Sequence, residues 1–327
     1  SVATDRREVL AAHMERRASQ DGKYRLVYPA PAVALVGIDY RAIFDRVKDR
    51  VPMELMMVSH TESLGDWVSG YEQVVDELAR NIELPEVPRK KDGVAVVGYF
   101  WDRNEADHSA NVGELSRLLE GLGLSLESVW LSGVPSSELA DVAQASTIIA
   151  LPYAGQAAAI LAKRTGAKVV QTELPIGLEG TMKWLNVVAE ATGRQEAARG
   201  FIREEGTRHY EMLAKPALRY FRNRDFMICT EGHLAVAVAD MVRELGGLVR
   251  LVACSGRTPD YDPGHFGELL SSPEVRSLGF RIKEIAEASS LVPVIICNEQ
   301  AVSTTRSLPI AGMFLGFQSP GIHHLFD

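Results

Sequence analysis

Val94-Ala95-Val96-Val97-Gly98, followed by Asn111-Val112-Gly113-Glu114-Leu115, Leu118-Leu119-Glu120 and Gly123, is the stretch on which the fold turns. A short apolar run that stops at glycine and leads into leucines at helical spacing reads as one strand and one helix of a parallel βαβ unit. The helix is expected from Ser109 to Leu122, with Gly123 ending it. Downstream, the same alternation continues. Strands are expected at Ser128–Leu131, Thr147–Ala150 and Lys168–Val170, and helices at Gly155–Arg164, stopped by Gly166, and Thr181–Ala191, stopped by Gly193.

Upstream, Val33–Gly37 and Met53–Val58 read as strands. Ile43, Phe44 and Val47 mark a helix, and Val74, Val75, Leu78 and Ile82 mark another from Gly70 to Ile82. Ser1–Arg17 reads as an amphipathic helix or a flexible arm. Between Leu84 and Gly93 the chain is rich in Pro, Lys and Asp, and the basic run Arg89-Lys90-Lys91 reads as a solvated linker. Gln195–Phe221 is a helical crossover, expected to kink or split at Gly200, Gly206 and Pro216. Beyond it come strands at Phe226–Cys229, Val249–Ala253, Val292–Ile296 and Ile310–Phe314, with helices at His233–Leu245 and around Ile282–Ala288. The fold class is therefore α/β, built of repeated Rossmann-like parallel α/β/α domains. The expected division is an incomplete α/β domain over 1–88, a Rossmann-like domain over 89–194, the crossover over 195–222 and a second Rossmann-like domain over 223–327.

Of the 327 residues, 46% are hydrophobic and 24% charged, which suits a globular chain. No run reaches the roughly 18 apolar residues of a membrane span, and the N-terminus lacks the apolar core of a signal peptide. The formal net charge of −8 argues against a nucleic-acid binder, which needs a basic surface. Three scattered cysteines make no disulfide framework, so a cytoplasmic location is expected. No G-x-G-x-x-G fingerprint, P-loop or serine or cysteine triad is present, and no catalytic residue is assigned.

Three blocks, in order, resemble the nitrogenase component-1 type oxidoreductases, the family of nitrogenase, its cofactor-assembly scaffold and the dark-operative protochlorophyllide reductase subunits. The first is the opening stretch. The second is Pro175-x-Gly177 with Thr181, Trp184-Leu185 and Ala189-Glu190. The third is Leu308-Pro309 with Gly316-Phe317, His323 and Phe326; Val36-Gly37-x-Asp39 with Gly70-Tyr71 is a weaker match. The resemblance implies a homo- or heterodimer with a family paralogue, and a separate ATP-dependent iron–sulfur reductase protein that donates electrons. It also implies an iron–sulfur cluster held by N-terminal cysteines, yet no cysteine precedes Cys229. Either that segment is missing from a truncated chain or this member lacks it. A nitrogenase-type cofactor is disfavoured, since neither the cysteine expected after Ala150-Leu151 nor histidine character near Phe314 is present.

In parallel sheets ligands bind beyond the carboxyl ends of strands. Tyr99, Trp101, Asp102 and Arg103 follow such an end and read either as a stacking and ion-pairing wall for a flat anionic ligand or as an exposed loop with one anchoring aromatic. Thr230-Glu231-Gly232-His233 and Pro152-Tyr153-Ala154-Gly155 open helices, where free N–H groups favour anions; the plainer reading has Thr230 capping its helix, Glu231 favouring the dipole, and Ala154–Ala159 serving close packing. Cys229, Cys254 and Cys297 each end a strand of the last domain. They are weak candidates for cluster ligands, set against the ordinary reading of buried thiols.

The function expected is a reductase component that takes electrons from the ATP-dependent partner and reduces a bound substrate or tetrapyrrole-like precursor. Two alternatives stand beside it: a two-lobed metal-chelate or cobalamin-type binding protein, and a non-catalytic cofactor-assembly scaffold of the same family.

Overall fold

The computed structural model describes residues 6–18, 24–28, 39–52, 54–58, 67–100, 108–255, 269–272 and 294–297. The expected strands at Val33–Gly37 and Ile310–Phe314, the helix around Ile282–Ala288, the residues Trp101 and Arg103, and the C-terminal block lie outside the described residues. So do the side chains of Cys229 and Cys297, although the backbone of both is described.

Helix α1 (Arg6–Ala18) packs with α2 (Tyr40–Val47) over a parallel pair, β1 (Tyr24–Val27) and β2 (Glu54–Met57). Ala11, Met14, Ile43, Phe44, Val47, Leu55 and Met57 form its small core. The N-terminal segment is thus a helix from Arg6. Helix α3 (Trp67–Asn81) then leads to β3 (Lys90–Val97).

A four-stranded parallel sheet follows in the order β4-β3-β5-β6, from β4 (Ser125–Val129), β3, β5 (Ala145–Ala150) and β6 (Lys168–Gln171). Helix α4 (His108–Gly121) joins β3 to β4, α5 (Ala157–Thr165) joins β5 to β6, and α6 (Gly177–Thr192) leaves β6. Val94, Ala95, Val96 and Val97 are all fully buried, because helices cover both faces of the sheet. Gly166 and Gly193 end their helices in the left-handed conformation that glycine adopts without penalty. The strand expected at Ser128–Leu131 starts earlier and ends at Val129, since Leu131 turns the chain at positive φ.

Two expectations are corrected. Lys90 and Lys91 are no linker but the first residues of β3, where Lys90 pairs with Ala145 and its ammonium meets Glu127 at 2.6 Å. The start of this interior strand accommodates them because both residues are exposed there and their ammonium groups can reach water. The crossover does not split at Gly200 or Gly206: α7 (Gln195–Pro216) is one helix, and the cost of two glycines is offset by its packing on α6 and α4. Only Pro216 marks a change, into a π turn over Ala217–Phe221 that brings Phe221 onto Phe226.

The second four-stranded parallel sheet runs β10-β7-β8-β9, from β7 (Asp225–Glu231), β8 (Leu248–Ser255), β9 (Leu269–Ser272) and β10 (Val294–Cys297). Helix α8 (Gly232–Glu244) joins β7 to β8 and packs on α6. One apolar cluster extends from Val94 and Leu115 through Trp184 to Phe226, Val252 and Cys254, so the two four-stranded sheets share a core.

Candidate functional site

In the order β4-β3-β5-β6 the chain steps from β3 outward to β4 and then returns to the other side of β3, which makes the ends of β3 and β5 a topological switch point. In β10-β7-β8-β9 the corresponding point lies between β7 and β10. The loops leaving β3, β5 and β7 meet.

Gly98 ends β3 at φ +88°, and a Cβ there would lie 2.5 Å from the Ala154 nitrogen of the loop after β5. Only glycine permits this approach. It sets the Phe100 ring on that of Tyr153, stacked with centroids 4.5 Å apart, while Tyr71 of α3 presents its edge to Phe100 at 4.9 Å. The Tyr71 hydroxyl donates to the Tyr99 carbonyl at 2.5 Å, and burial drives its pKa well up. Tyr99 itself is fully buried, its hydroxyl 3.0 Å from His108 Nδ1. It is the anchoring aromatic of this loop, and the ring that reaches the crevice is Phe100, which sequence reasoning missed.

Tyr153 is buried, and its hydroxyl donates to the Glu231 carboxylate at the end of β7. Burial, reinforced by the charge of Glu231, holds the phenol well above its ordinary pKa and keeps the proton on it. Glu231 also accepts from the His233 and Leu234 backbone N–H groups at 3.1 and 2.5 Å, so it, rather than Thr230, caps α8. Thr230 points a buried hydroxyl that has no hydrogen-bond partner among the described residues. The reason for the exchange is register: a buried carboxylate needs several donors, and residue 231 alone faces both the helix start and Tyr153. The His233 ring stands edge-on to Tyr153 at 5.6 Å, and burial lowers its pKa against the opposing charge of Glu173. The loop after β5 has its own substitute cap: Gln156, ahead of α5, donates to Asp76 of α3 at 2.9 Å.

Of the sequence candidates, Tyr153, Thr230, Glu231 and His233 converge here. The switch-point arrangement locks a carboxylate between a phenol and two backbone donors, leaving it no role as a free base. The half-buried rings of Phe100, Tyr71 and His233 surround this buried pair and give it a partly apolar aromatic face.

Among the described residues the donor set does not fit an iron–sulfur cluster. Among the described residues no three His, Cys, Asp or Glu side chains are grouped as metal ligands. Cys254 is buried, and burial, with the charge of Glu231, pushes its thiol up to about 12. Register pairs Cys229 with Cys297 but Cys254 with Thr230.

The sequence profile of the family described as Nitrogenase component 1 type Oxidoreductase matches residues 17–308. The nitrogenase molybdenum-iron protein beta chain of Methanococcus maripaludis is 30% identical over 130 residues, which is 39% of this chain and 28% of that protein. Among solved structures, the one titled "Nitrogenase Cp1 at pH 6.5" superposes with a TM-score of 0.73 at 17% identity, over 95% of this chain and 74% of the other. "Nitrogenase Cp1 at pH 5" gives the same TM-score at 12% identity, over 98% and 73%. These two likenesses speak for the fold. No helix among the described residues is long and apolar enough to cross a membrane.

Proposed function

Because the chain belongs to the nitrogenase component 1 type oxidoreductases, we propose that it is the substrate-holding component of a reductase complex. In this reading it pairs with a second copy or a paralogue, and a separate ATP-dependent iron–sulfur protein supplies the electrons. The substrate is a flat conjugated molecule of tetrapyrrole type. The observation that carries the reading is the stack of Phe100 on Tyr153 at the switch point of β3 and β5, flanked by Tyr71 and by His233 beyond the end of β7. The half-buried Phe100, Tyr71 and His233 rings can meet an extended π system with a face and edges, and the buried Tyr153–Glu231 pair holds them rigid while the ligand is oriented.

Since the described donor set does not fit a cluster, no electron-transfer step is assigned to this chain's own residues. The same fact favours a second reading, in which the chain is a scaffold of the family that holds a cofactor or its precursor without reducing it.

The test is anaerobic. The chain is titrated with a magnesium porphyrin and a chlorin, followed by absorption, and then mixed with a P-loop iron–sulfur reductase protein, ATP and dithionite. The expected result is saturable tetrapyrrole binding, weakened several-fold by Phe100→Ala through loss of the stacking face, and reduction that depends on ATP. Binding without reduction supports the scaffold. Absence of both tetrapyrrole binding and complex formation with the reductase protein overturns the proposal.

A further inference from the structure

A cleft of about 250 Å³, lined in part by His233, opens between α6 and α8 at the end of β6. Its wall holds three polar atoms that have no hydrogen-bond partner among the described residues: Trp184 Nε1, Thr172 Oγ1 and His233 Nδ1. Trp184 is 2% exposed and Thr172 9%. Buried polar groups are almost always paired, so three in one wall are out of the ordinary.

We propose that this cleft is a binding site for a small organic cation that carries an oxygen acceptor, such as a short primary amine bearing an amide or hydroxyl group. The chemistry of the wall selects it. The indole N–H of Trp184 only donates, so the ligand atom that meets it must accept. Thr172 adds a second group able to donate to the same oxygen. The rest of the floor is aliphatic, from Leu174, Ile176, Ala237 and Met241, which suits a short hydrocarbon body. The lining also carries Glu173, Glu179, Asp240 and Glu244 against the single cation Lys183. That excess of carboxylates draws a cation and repels phosphate or a carboxylate. Burial pushes Glu244 up to about 7, so its share of the negative charge grows above neutrality. The volume lies below the range of drug-sized pockets, roughly 300–1,000 Å³, and limits the ligand to amino-acid size. The three atoms are covered in this state, so the ligand engages them by loosening the α6–α8 seam rather than by filling an open hole. The site shares His233 with the aromatic crevice, but its chemistry does not depend on the reductase reading.

The four tryptophans give a direct readout. In ¹H–¹⁵N spectra of the full chain, the indole N–H signal of Trp184, assigned with Trp184→Phe, is followed during titration with glycinamide and 4-aminobutanamide. Acetate and inorganic phosphate serve as anionic controls. A saturable downfield shift of that one indole with the amines, and none with the anions, is expected. Thr172→Val and Glu173→Gln should each weaken binding by about tenfold, the loss of a charge-assisted or buried hydrogen bond. An indole signal unmoved by either amine, or moved by the anions instead, overturns the proposal. So does a shift that both variants leave unchanged.

Discussion

At the scale of single residues, Gly98 matters most for the crevice. Its positive φ and the 2.5 Å approach of the Ala154 nitrogen leave no space for a methyl group. Gly98→Ala is expected to cost about 3 kcal/mol, combining backbone strain with a forced shift of the Tyr153 loop. Urea denaturation would measure the cost, and Tyr153 fluorescence quenching by the carboxylate would fall as the phenol leaves Glu231. A change below about 1 kcal/mol would show that the loop yields freely. Gly98 was legible in sequence as the end of a strand. That it touches Ala154 was not, because nothing local marks a contact with a loop two strands later in the chain. Phe100 was hidden for a related reason: three aromatics in succession, Tyr99, Phe100 and Trp101, do not reveal which turns inward. The N-cap of α8 was misplaced by one residue, since Thr is a normal cap and only the presence of Tyr153 makes Glu231 the better one.

At the scale of elements, the seam between α6 and α8 is tuned by a carboxylate. Glu244, in the last turn of α8, accepts from the Glu179 backbone N–H at the start of α6 at 3.3 Å. A Cβ on Gly177 would come within 2.8 Å of the same carboxylate, so the PxG of the sequence block serves this contact. Burial raises Glu244 from 4.5 to about 7; the backbone donors and Lys183 oppose the rise and the charge of Glu179 adds to it. Because the folded pKa is the higher one, the folded state binds the proton more tightly. The associated stability is complete below about pH 4.5 and is lost as pH rises to about 7. Because the group is only half-buried, the screened effect is about 1 kcal/mol. Glu244→Gln should therefore flatten the pH dependence of urea midpoints between pH 5 and 7 and leave the chain slightly more stable at pH 8. A wild-type midpoint that rises across this window, or a variant with the same slope, would remove Glu244 from the account. The helices themselves were legible from leucine and valine spacing. The continuity of α7 was not, because glycine content weighs against a helix locally while packing on α4 and α6 is a tertiary term. Arg117 of α4 is part of that packing, bonded to Glu205 of α7 at 2.8 Å.

At the scale of the molecule, one apolar cluster joins both four-stranded sheets. They should therefore unfold together in a single urea transition, with Trp130 and Trp184 fluorescence and hydrogen exchange at the β7 and β8 amides giving one midpoint. Two separated midpoints would mean that the shared core contributes little coupling. The alternation of parallel strands and helices was determined by the sequence alone, as was the family, because hydrophobic periodicity and glycine stops are local and survive in order along the chain. The strand order was not. Which strand lies beside β3 or β7 depends on pairings across long separations, which leave no periodic mark. The switch points follow from that order, and so does the bond between Tyr153 and Glu231, 78 residues apart in sequence. Only the tertiary structure could bring a phenol, a helix-capping carboxylate and a stacked phenylalanine together, since each is explained locally by something else.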